Sequence, residues 1–231
     1  MFTLLSLQAD SLTAATSTAV IENVAPNTEI SVLEFILKGG VFLIPIAILL
    51  FYTFYVIAER YMYIDKASKI DDRLLRDVGE QLQSGNIELA RAIVERSTNA
   101  SSTIIKEGIL VIGRPIAEIE SNMDRAADIE IGQMEKHLGH LGLIAGIAPT
   151  LGFIGTISGV IKIFYSISVT ENISIGNISG GLYEKMISSG AGLIVGIIAD
   201  SAYHLLNGKI DNFALKVQKQ ILEFVNIIQR A

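Results

Sequence analysis

Only a few side chains within the most apolar parts of this sequence could take part in chemistry. Thr156 carries a hydroxyl in a run, residues 141–161, that contains no acid or base. Ser189 lies in another apolar run, and Asp200 and His204 follow it four residues apart from each other. Hydroxyl groups both donate and accept hydrogen bonds, and a carboxylate and an imidazole at this spacing share one helix face. Asp200 and His204 could therefore form a proton relay or a plain acid–imidazole pair at a water boundary.

Other kinds of chemistry lack the residues that they need. The 231 residues include no cysteine and only three histidines, and no HExxH motif occurs. Disulfides, cysteine-based zinc sites and a thiol nucleophile are therefore excluded. The apolar runs contain no nucleophile–base pair and no metal dyad, so we predict no enzyme activity, no cofactor and no metal site. The net charge of −6 argues against a nucleic-acid partner.

The composition indicates a membrane protein. Hydrophobic residues make up 50% and charged residues 18% of the chain, whereas soluble domains carry about 25% charged residues. Three apolar runs, residues 39–58, 138–165 and 186–206, are each long enough to cross a hydrocarbon core of about 30 Å as a helix. The predicted fold is an all-α integral membrane protein with three transmembrane helices, two of which extend into a cytoplasmic helical domain.

The segments between the spans set the predicted orientation. Residues 59–137 hold 11 of the 18 Lys and Arg residues and read as a cytoplasmic helical domain. Residues 1–38 read as a periplasmic leader with a short amphipathic helix near its end, and residues 166–185 as a periplasmic loop. Residues 207–231 read as a cytoplasmic C-terminal helix with an amphipathic stripe. The N-terminus is thus predicted outside and the C-terminus inside.

Local signals predict where helices begin within the cytoplasmic part. The tract SGN at residues 84–86 separates two helices, with Asn86 as an N-cap. Pro115 is predicted at the first turn of a later helix. No proline follows until Pro149, so the sequence predicts one helix that begins in water and continues into the second span.

Small residues are concentrated in the second and third spans, where they allow helix backbones to approach closely. The GxxxG pairs and the neighbouring residues assigned to helix packing are Gly142 with Gly146, Gly155 with Gly159, Gly192 with Gly196, Gly152 and Pro149. At about 100° per residue, Gly152 and Pro149 lie within about 40° of Thr156, and Gly196 and Asp200 within about 40° of Ser189. Both hydroxyls therefore belong to narrow stripes that are otherwise small or apolar.

Each of these polar residues also has a simpler interpretation. The hydroxyls of Thr156 and Ser189 could bond back to their own helices. Asp200 and His204 could form a pair at the cytoplasmic water boundary instead of a proton relay. The sequence leaves both alternatives open.

The three spans together resemble the MotA/TolQ/ExbB proton channel family, and within it the ExbB/TolQ branch. The matching stretches, in chain order, are KGGVFLIPI, VIAERYMYIDKASKID, IAGIAPTLGFIGTISGVIKIFY and GGLYEKMISSGAGLIVGIIA. Their order and spacing match over roughly residues 35–225, and the three spans with an outside N-terminus fit this branch better than the four-span flagellar stator.

This resemblance implies a homo-pentamer in a bacterial inner membrane that encloses the single-span helices of an ExbD/TolR-like partner. Protons would pass by an aspartate on that partner, and the motion would energise TonB- or Tol-type work at the outer membrane. The family's two pore-lining threonines fall on Thr156 and Ser189, and its characteristic glutamate falls on Glu184.

Two departures from the family pattern stand out. Ser189 replaces a threonine, and Asp200 with His204 interrupts a segment that is normally uncharged. The resemblance leaves open an ExbB-like, TolQ-like or motility role, and H⁺ or Na⁺ as the coupling ion. A structural scaffold and a small-solute carrier are the alternatives from other classes, and three spans lack the inverted repeat of such carriers.

Overall fold

The computed structural model describes residues 40–170 and 175–230, and every regular element in these ranges is an α-helix. The predicted leader, residues 1–38, lies outside the described residues. Seven helices are described: α1 (Leu43–Ala67), α2 (Asp72–Gln83), α3 (Ile87–Glu95), α4 (Ala100–Leu110), α5 (Ile116–Glu135), α6 (Leu138–Thr170) and α7 (Ile175–Arg230). The all-helical fold predicted from the sequence is confirmed for this part of the chain.

Three helical stretches are long and apolar enough to cross a membrane. They are Leu43–Ala67, Ile116–Thr170 and Ile178–Arg230. Each is longer than the span predicted from the sequence, because helical structure continues beyond its apolar part; the second stretch consists of α5 and α6 with a turn between them. Helix α6 reaches Thr170 and helix α7 begins at Ile175, so most of the segment predicted as a periplasmic loop is helical.

Short helices α2 to α5 form the charged block between the first two spans. The Asn86 side chain accepts a hydrogen bond from the Leu89 amide at 3.2 Å, which confirms it as the N-cap of α3. Pro115 lies at the N-cap position of α5, so that helix begins one residue later than predicted. Both residues satisfy or remove amides that a helix start would otherwise leave unpaired.

The long C-terminal helix α7 unites the membrane part with this block. At about 1.5 Å per residue its 56 residues extend over roughly 84 Å. Its predicted apolar stripe is buried in the hydrophobic core: Ile210, Phe213, Val217, Ile221, Phe224 and Val225. At Gly108 of α4, an added Cβ would lie 2.6 Å from Met123 Sδ and 2.8 Å from Phe224 Cε1, so a larger residue there would force these buried side chains to shift. Helix α7 is therefore the central element of the bundle that it forms with the charged block.

The helix predicted to run unbroken from water into the second span is interrupted. Lys136 has ψ 133° and His137 has φ +68°, which separates α5 from α6. These values resemble a type II turn, whose second central position normally takes glycine. Histidine tolerates positive φ better than bulky residues do, although such a conformation still costs about 1–2 kcal/mol. Periodicity gave no sign of this break, because apolar residues keep helical spacing across it.

Candidate functional site

The membrane parts of α6 and α7 are in direct backbone contact. Glycines at the contact allow this close approach because they have no side chain. A Cβ on Gly152 would lie 2.9 Å from Ser189 Cα, and one on Gly196 would lie 2.6 Å from Pro149 Cγ. The β-position of Gly192 meets the Ala148 carbonyl. The residue numbers at these contacts rise along α7 as they fall along α6, so the two helices are antiparallel. Any side chain larger than hydrogen at Gly152 would push the two backbones apart.

Helix α1 covers one side of this antiparallel pair. The β-position of Gly155 lies 3.2 Å from Phe42 Cβ, at the start of α1, and 3.0 Å from Ser188 Oγ. Ser188 is fully buried, and its hydroxyl donates to the main-chain oxygen of Lys185 at 3.0 Å. Gly155 and Ser188 therefore mark the side that faces α1.

Gly159 lies against a side chain of α7. Gly159 is buried, and the atoms nearest to a Cβ on it belong to the Lys185 side chain, which it would overlap, 2.5 Å from Cδ and 2.6 Å from Cε. The apolar stem of this lysine lies against Gly159, where a Cβ would take up the same space. The glycine at position 159 therefore makes room for a side chain of α7, and its assignment to helix packing stays a prediction.

Thr156 and Ser189 face the other side of the pair. Thr156 follows Gly155 and Ser189 follows Ser188, the two residues that face α1. Each step of one residue turns the side-chain direction by about 100° around the helix axis. Because α6 and α7 are antiparallel, the same step along both chains turns both side chains to the same side, away from α1. Both residues are half-buried at the edge of the helix contact. The structure thus brings the two predicted hydroxyl positions onto one shared surface.

The Thr156 hydroxyl already has acceptors. Its Oγ1 lies 3.2 Å from the Gly152 oxygen on its own helix and 3.2 Å from the Lys185 oxygen on α7. A hydroxyl has one proton to donate, so the Thr156 proton is committed to these carbonyls while its lone pairs stay available. The bond back to its own helix is thus present, together with a tie across the pair. For Ser189 the described residues provide no hydrogen-bond partner.

The other predicted polar positions lie along α7. Asp200 is on the same stripe as Ser189, about 16 Å further along the axis. Its Oδ1 lies 3.6 Å from His204 Nε2, and the two side chains are 60% and 71% exposed. The pair is therefore open to its surroundings and not buried in the helix contact. Glu184 belongs to α7, but its side chain lies outside what the structure describes.

A polar cavity continues this stripe toward the C-terminal part of α7. Its volume is about 360 Å³, and it lies where α6 begins. Two carboxylates, an amide and a phenol line it: Glu135, Asp211, Asn207 and Tyr203. Reasoning from the sequence missed these residues, although polar residues at positions 200, 204, 207 and 211 recur at helical spacing.

Helix α1 also contributes polar contacts that the sequence did not single out. Tyr52 Oη lies 2.8 Å from His140 Nδ1 on α6. Arg60 is only 6% exposed, and its Nη1 donates to the Gln133 oxygen of α5 at 3.2 Å. Tyr63 Oη donates to Gln133 Oε1 at 3.3 Å. The sequence signal for these contacts was an arginine directly after an apolar run, since a charge that becomes buried there needs hydrogen-bond partners.

Metal binding receives no support from the geometry of the described ranges, where no group of three or more His, Asp or Glu residues could hold an ion. The arrangement offers instead a surface with two hydroxyls at one end and an acid–imidazole pair at the other. Such groups can order water and hand on protons.

Comparison with known proteins gives one consistent result. Residues 87–219 match the family described as the MotA/TolQ/ExbB proton channel family. The chain is 31% identical over 189 residues to a putative biopolymer transport protein ExbB homolog of Methanothermobacter thermautotrophicus, covering 81% of this chain and 67% of the relative. It is 26% identical over 178 residues to an ExbB-like protein of Synechocystis sp., covering 75% and 70%. It is 27% identical to the Tol-Pal system protein TolQ of Haemophilus influenzae over 108 residues, 47% of each chain.

Proposed function

This chain belongs to the MotA/TolQ/ExbB proton channel family, and we propose that it is the channel subunit of an ExbB-like inner-membrane motor. In this proposal the proton motive force drives the motor, together with an ExbD/TolR-like single-span partner, and energises TonB-dependent transport at the outer membrane. The observation that carries the proposal is the shared surface of Thr156 and Ser189, on the side of the α6/α7 pair away from α1.

We propose that five copies arrange this surface around a central lumen. Helices α6 and α7 form the inner wall, and α1 lies behind them toward the lipid. Close glycine contacts keep each α6/α7 pair narrow, which leaves room for the partner's helices. Each proton that crosses gains about 2.3 kcal/mol per 100 mV of membrane potential.

The hydroxyls have different proposed roles because their hydrogen bonds differ. Thr156 donates to the carbonyls of Gly152 and Lys185, so toward the lumen it acts as an acceptor. Ser189, with no partner in the described part, can both donate and accept. We assign the acid that binds and releases protons mainly to the partner, with Glu184 near the periplasmic entrance and Asp200 near the cytoplasmic exit.

The proposed location is the inner membrane of a Gram-negative bacterium. The concentration of Lys and Arg in residues 59–137 supports a cytoplasmic position for the helical block and the C-terminus, and a periplasmic N-terminus. The block then serves as a collar for assembly and for docking of the partner.

A TolQ-like role in envelope maintenance is the second candidate. The similarity to the Haemophilus influenzae TolQ protein favours it, although it extends over less of the chain than the similarity to the Methanothermobacter thermautotrophicus relative does. A motility stator is a further variant of the same mechanism, and a purely structural scaffold is the alternative without ion flow.

Coexpression with the neighbouring single-span protein tests the function. Proton uptake would be measured in vesicles under an imposed potential, for the wild type and a Thr156→Val/Ser189→Ala double variant. We expect assembly to persist and uptake to be lost, because both lumen hydroxyls are removed. Unchanged uptake in the double variant would refute the channel surface, and tolerance of Thr156→Leu would favour the scaffold. Restoration of TonB-dependent or Tol-dependent growth in deletion strains separates the first two candidates.

A further inference from the structure

Helix α1 bridges the break between α5 and α6 from both sides. On the membrane side of the break, Tyr52 Oη contacts His140 Nδ1 at 2.8 Å. Eight residues further along the same unbroken helix, Arg60 Nη1 donates to the Gln133 oxygen on the cytoplasmic side. Those eight residues cover about 12 Å of straight helix. The continuous helix α1 therefore contacts both α5 and α6, one on each side of the break.

The cytoplasmic tie is the stronger of the two. Arg60 is buried, its guanidinium also contacts Glu59, and it lies 4.9 Å from the Tyr63 ring centroid. Tyr63 itself donates to the Gln133 side chain. Hydrogen bonds to charged groups are worth more than neutral ones, so α5 is held firmly against α1.

Because α5 and α6 are separated by the break, their relative orientation depends on these contacts with α1. An α-helix transmits orientation along its axis through its continuous hydrogen bonds, and at Lys136 and His137 that continuity is lost. The orientation of α6, which carries Thr156, is then set by what lies across the break.

We propose that Tyr52, Arg60 and Tyr63 are positioning residues that splint the break at His137 and fix the orientation of α6 relative to the cytoplasmic bundle. The splint itself follows from the contacts alone. Its effect on ion flow rests on the proposed function, because it acts through the position of Thr156.

Spin-label distances across the break test the splint directly. The chain contains no native cysteine, so two introduced cysteines can carry nitroxide labels. We choose Asp124→Cys on α5 and Leu143→Cys on α6, because both positions are exposed. The full chain, coexpressed with its single-span neighbour, would be placed in nanodiscs with labelled copies diluted among unlabelled ones. Pulsed electron spin resonance gives the distance distribution, and proton uptake is measured on the same variants.

The chain offers a matched pair of double variants. Tyr52→Phe/Tyr63→Phe removes the two hydroxyls that bridge to α6 and α5. Tyr55→Phe/Tyr61→Phe removes the same atoms from the same helix at exposed positions. We expect the first variant to broaden the distance distribution roughly twofold, because two ties across the break are lost, and the second to leave it unchanged.

The two measurements separate the possible failures. Equal distributions in both double variants would overturn the splint. A broadened distribution with wild-type uptake would overturn the positioning role, whereas a fall in uptake of roughly threefold supports it, since small displacements of reacting groups slow transfer. Thr156→Val serves as the reference: if it also leaves uptake unchanged, the proposed function fails, and the distances alone still decide the splint.

Discussion

Thr156 Oγ1 donates a hydrogen bond to the main-chain oxygen of Lys185, 3.2 Å away on the neighbouring helix. The hydroxyl therefore ties α6 to α7 and also presents its lone pairs to the surface that we assign to the lumen. The predictions below separate these two contributions for Thr156 and for the residues around it.

Replacing Thr156 with valine keeps the shape of the side chain and removes the hydroxyl. We expect proton uptake to be lost and stability to fall by about 0.5–1.5 kcal/mol, the net value of one hydrogen bond. Thr156→Ser should retain most of both. Thermal unfolding and vesicle uptake measure the two effects.

Thr150→Val is the matched control for this change. Its hydroxyl bonds only to its own helix, at the oxygens of Gly146 and Ile147, and it is exposed. Equal loss of uptake in Thr150→Val and Thr156→Val would contradict the assignment of Thr156.

Gly152→Ala should separate the α6/α7 pair. The new Cβ would lie 2.9 Å from Ser189 Cα, which is backbone and cannot rotate away, and overpacking of this kind costs about 1–3 kcal/mol. At Gly146 an added Cβ meets nothing within 4 Å in the described structure, so Gly146→Ala should stabilise the helix by up to about 1 kcal/mol. Melting temperatures of the two variants should therefore move in opposite directions, and a shared decrease would be evidence against this packing.

Neighbouring serines on α7 should respond differently to alanine. Ser188 faces α1 and bonds to the Lys185 oxygen of its own helix, so Ser188→Ala should cost a little stability and leave proton uptake intact. Ser189 faces the opposite side, and Ser189→Ala should lower uptake without changing stability. If the two effects were exchanged, the lumen would lie on the α1 side of the pair.

Asp200→Asn should lower proton uptake without disturbing assembly. The Asp200 and His204 side chains are largely exposed, so the substitution leaves no buried group unpaired. Asp128→Asn removes the same charge from the exposed surface of α5 and should have no effect. Size-exclusion chromatography reports assembly. A variant in which assembly fails while uptake per complex is normal would assign Asp200 a structural role and exclude the relay.

Several features of the fold follow from local sequence patterns, and the structure agrees with them. Asn86 caps α3, the apolar stripe from Ile210 to Val225 is buried, and three stretches are long and apolar enough to span a membrane. These features depend on periodicity and on residue types within one or two helical turns, which a sequence displays directly.

Glycine spacing alone did not show which glycines lie at the backbone contact. Gly152 and Gly159 both belong to the small-residue pattern of the second span, but the atoms nearest to the β-position of Gly152 are backbone atoms of α7, whereas those nearest to Gly159 belong to the Lys185 side chain. The distance between two helices changes along their length, and that distance is set by their packing and not by the spacing of glycines within one helix.

The break at His137 was not predictable from local patterns either. Histidine is neither proline nor glycine, and Leu138 and Leu141 continue the apolar spacing of the second span. The contacts of Tyr52 with His140 and of Arg60 with Gln133 join residues more than 70 positions apart. Such pairs depend on how helices pack, so no local signal indicates them.

The sequence by itself determined that Thr156 and Ser189 are hydroxyls on narrow, otherwise small or apolar helix faces, because helical phase is a local property. Only the tertiary structure decided where those faces point. The antiparallel contact at Gly152 and the position of Phe42 behind Gly155 turn Ser188 toward α1 and Ser189 away from it. The two serines are adjacent in sequence, so their side chains point about 100° apart around the helix axis. They differ in role because α1 packs on the side of Ser188 and not on the side of Ser189.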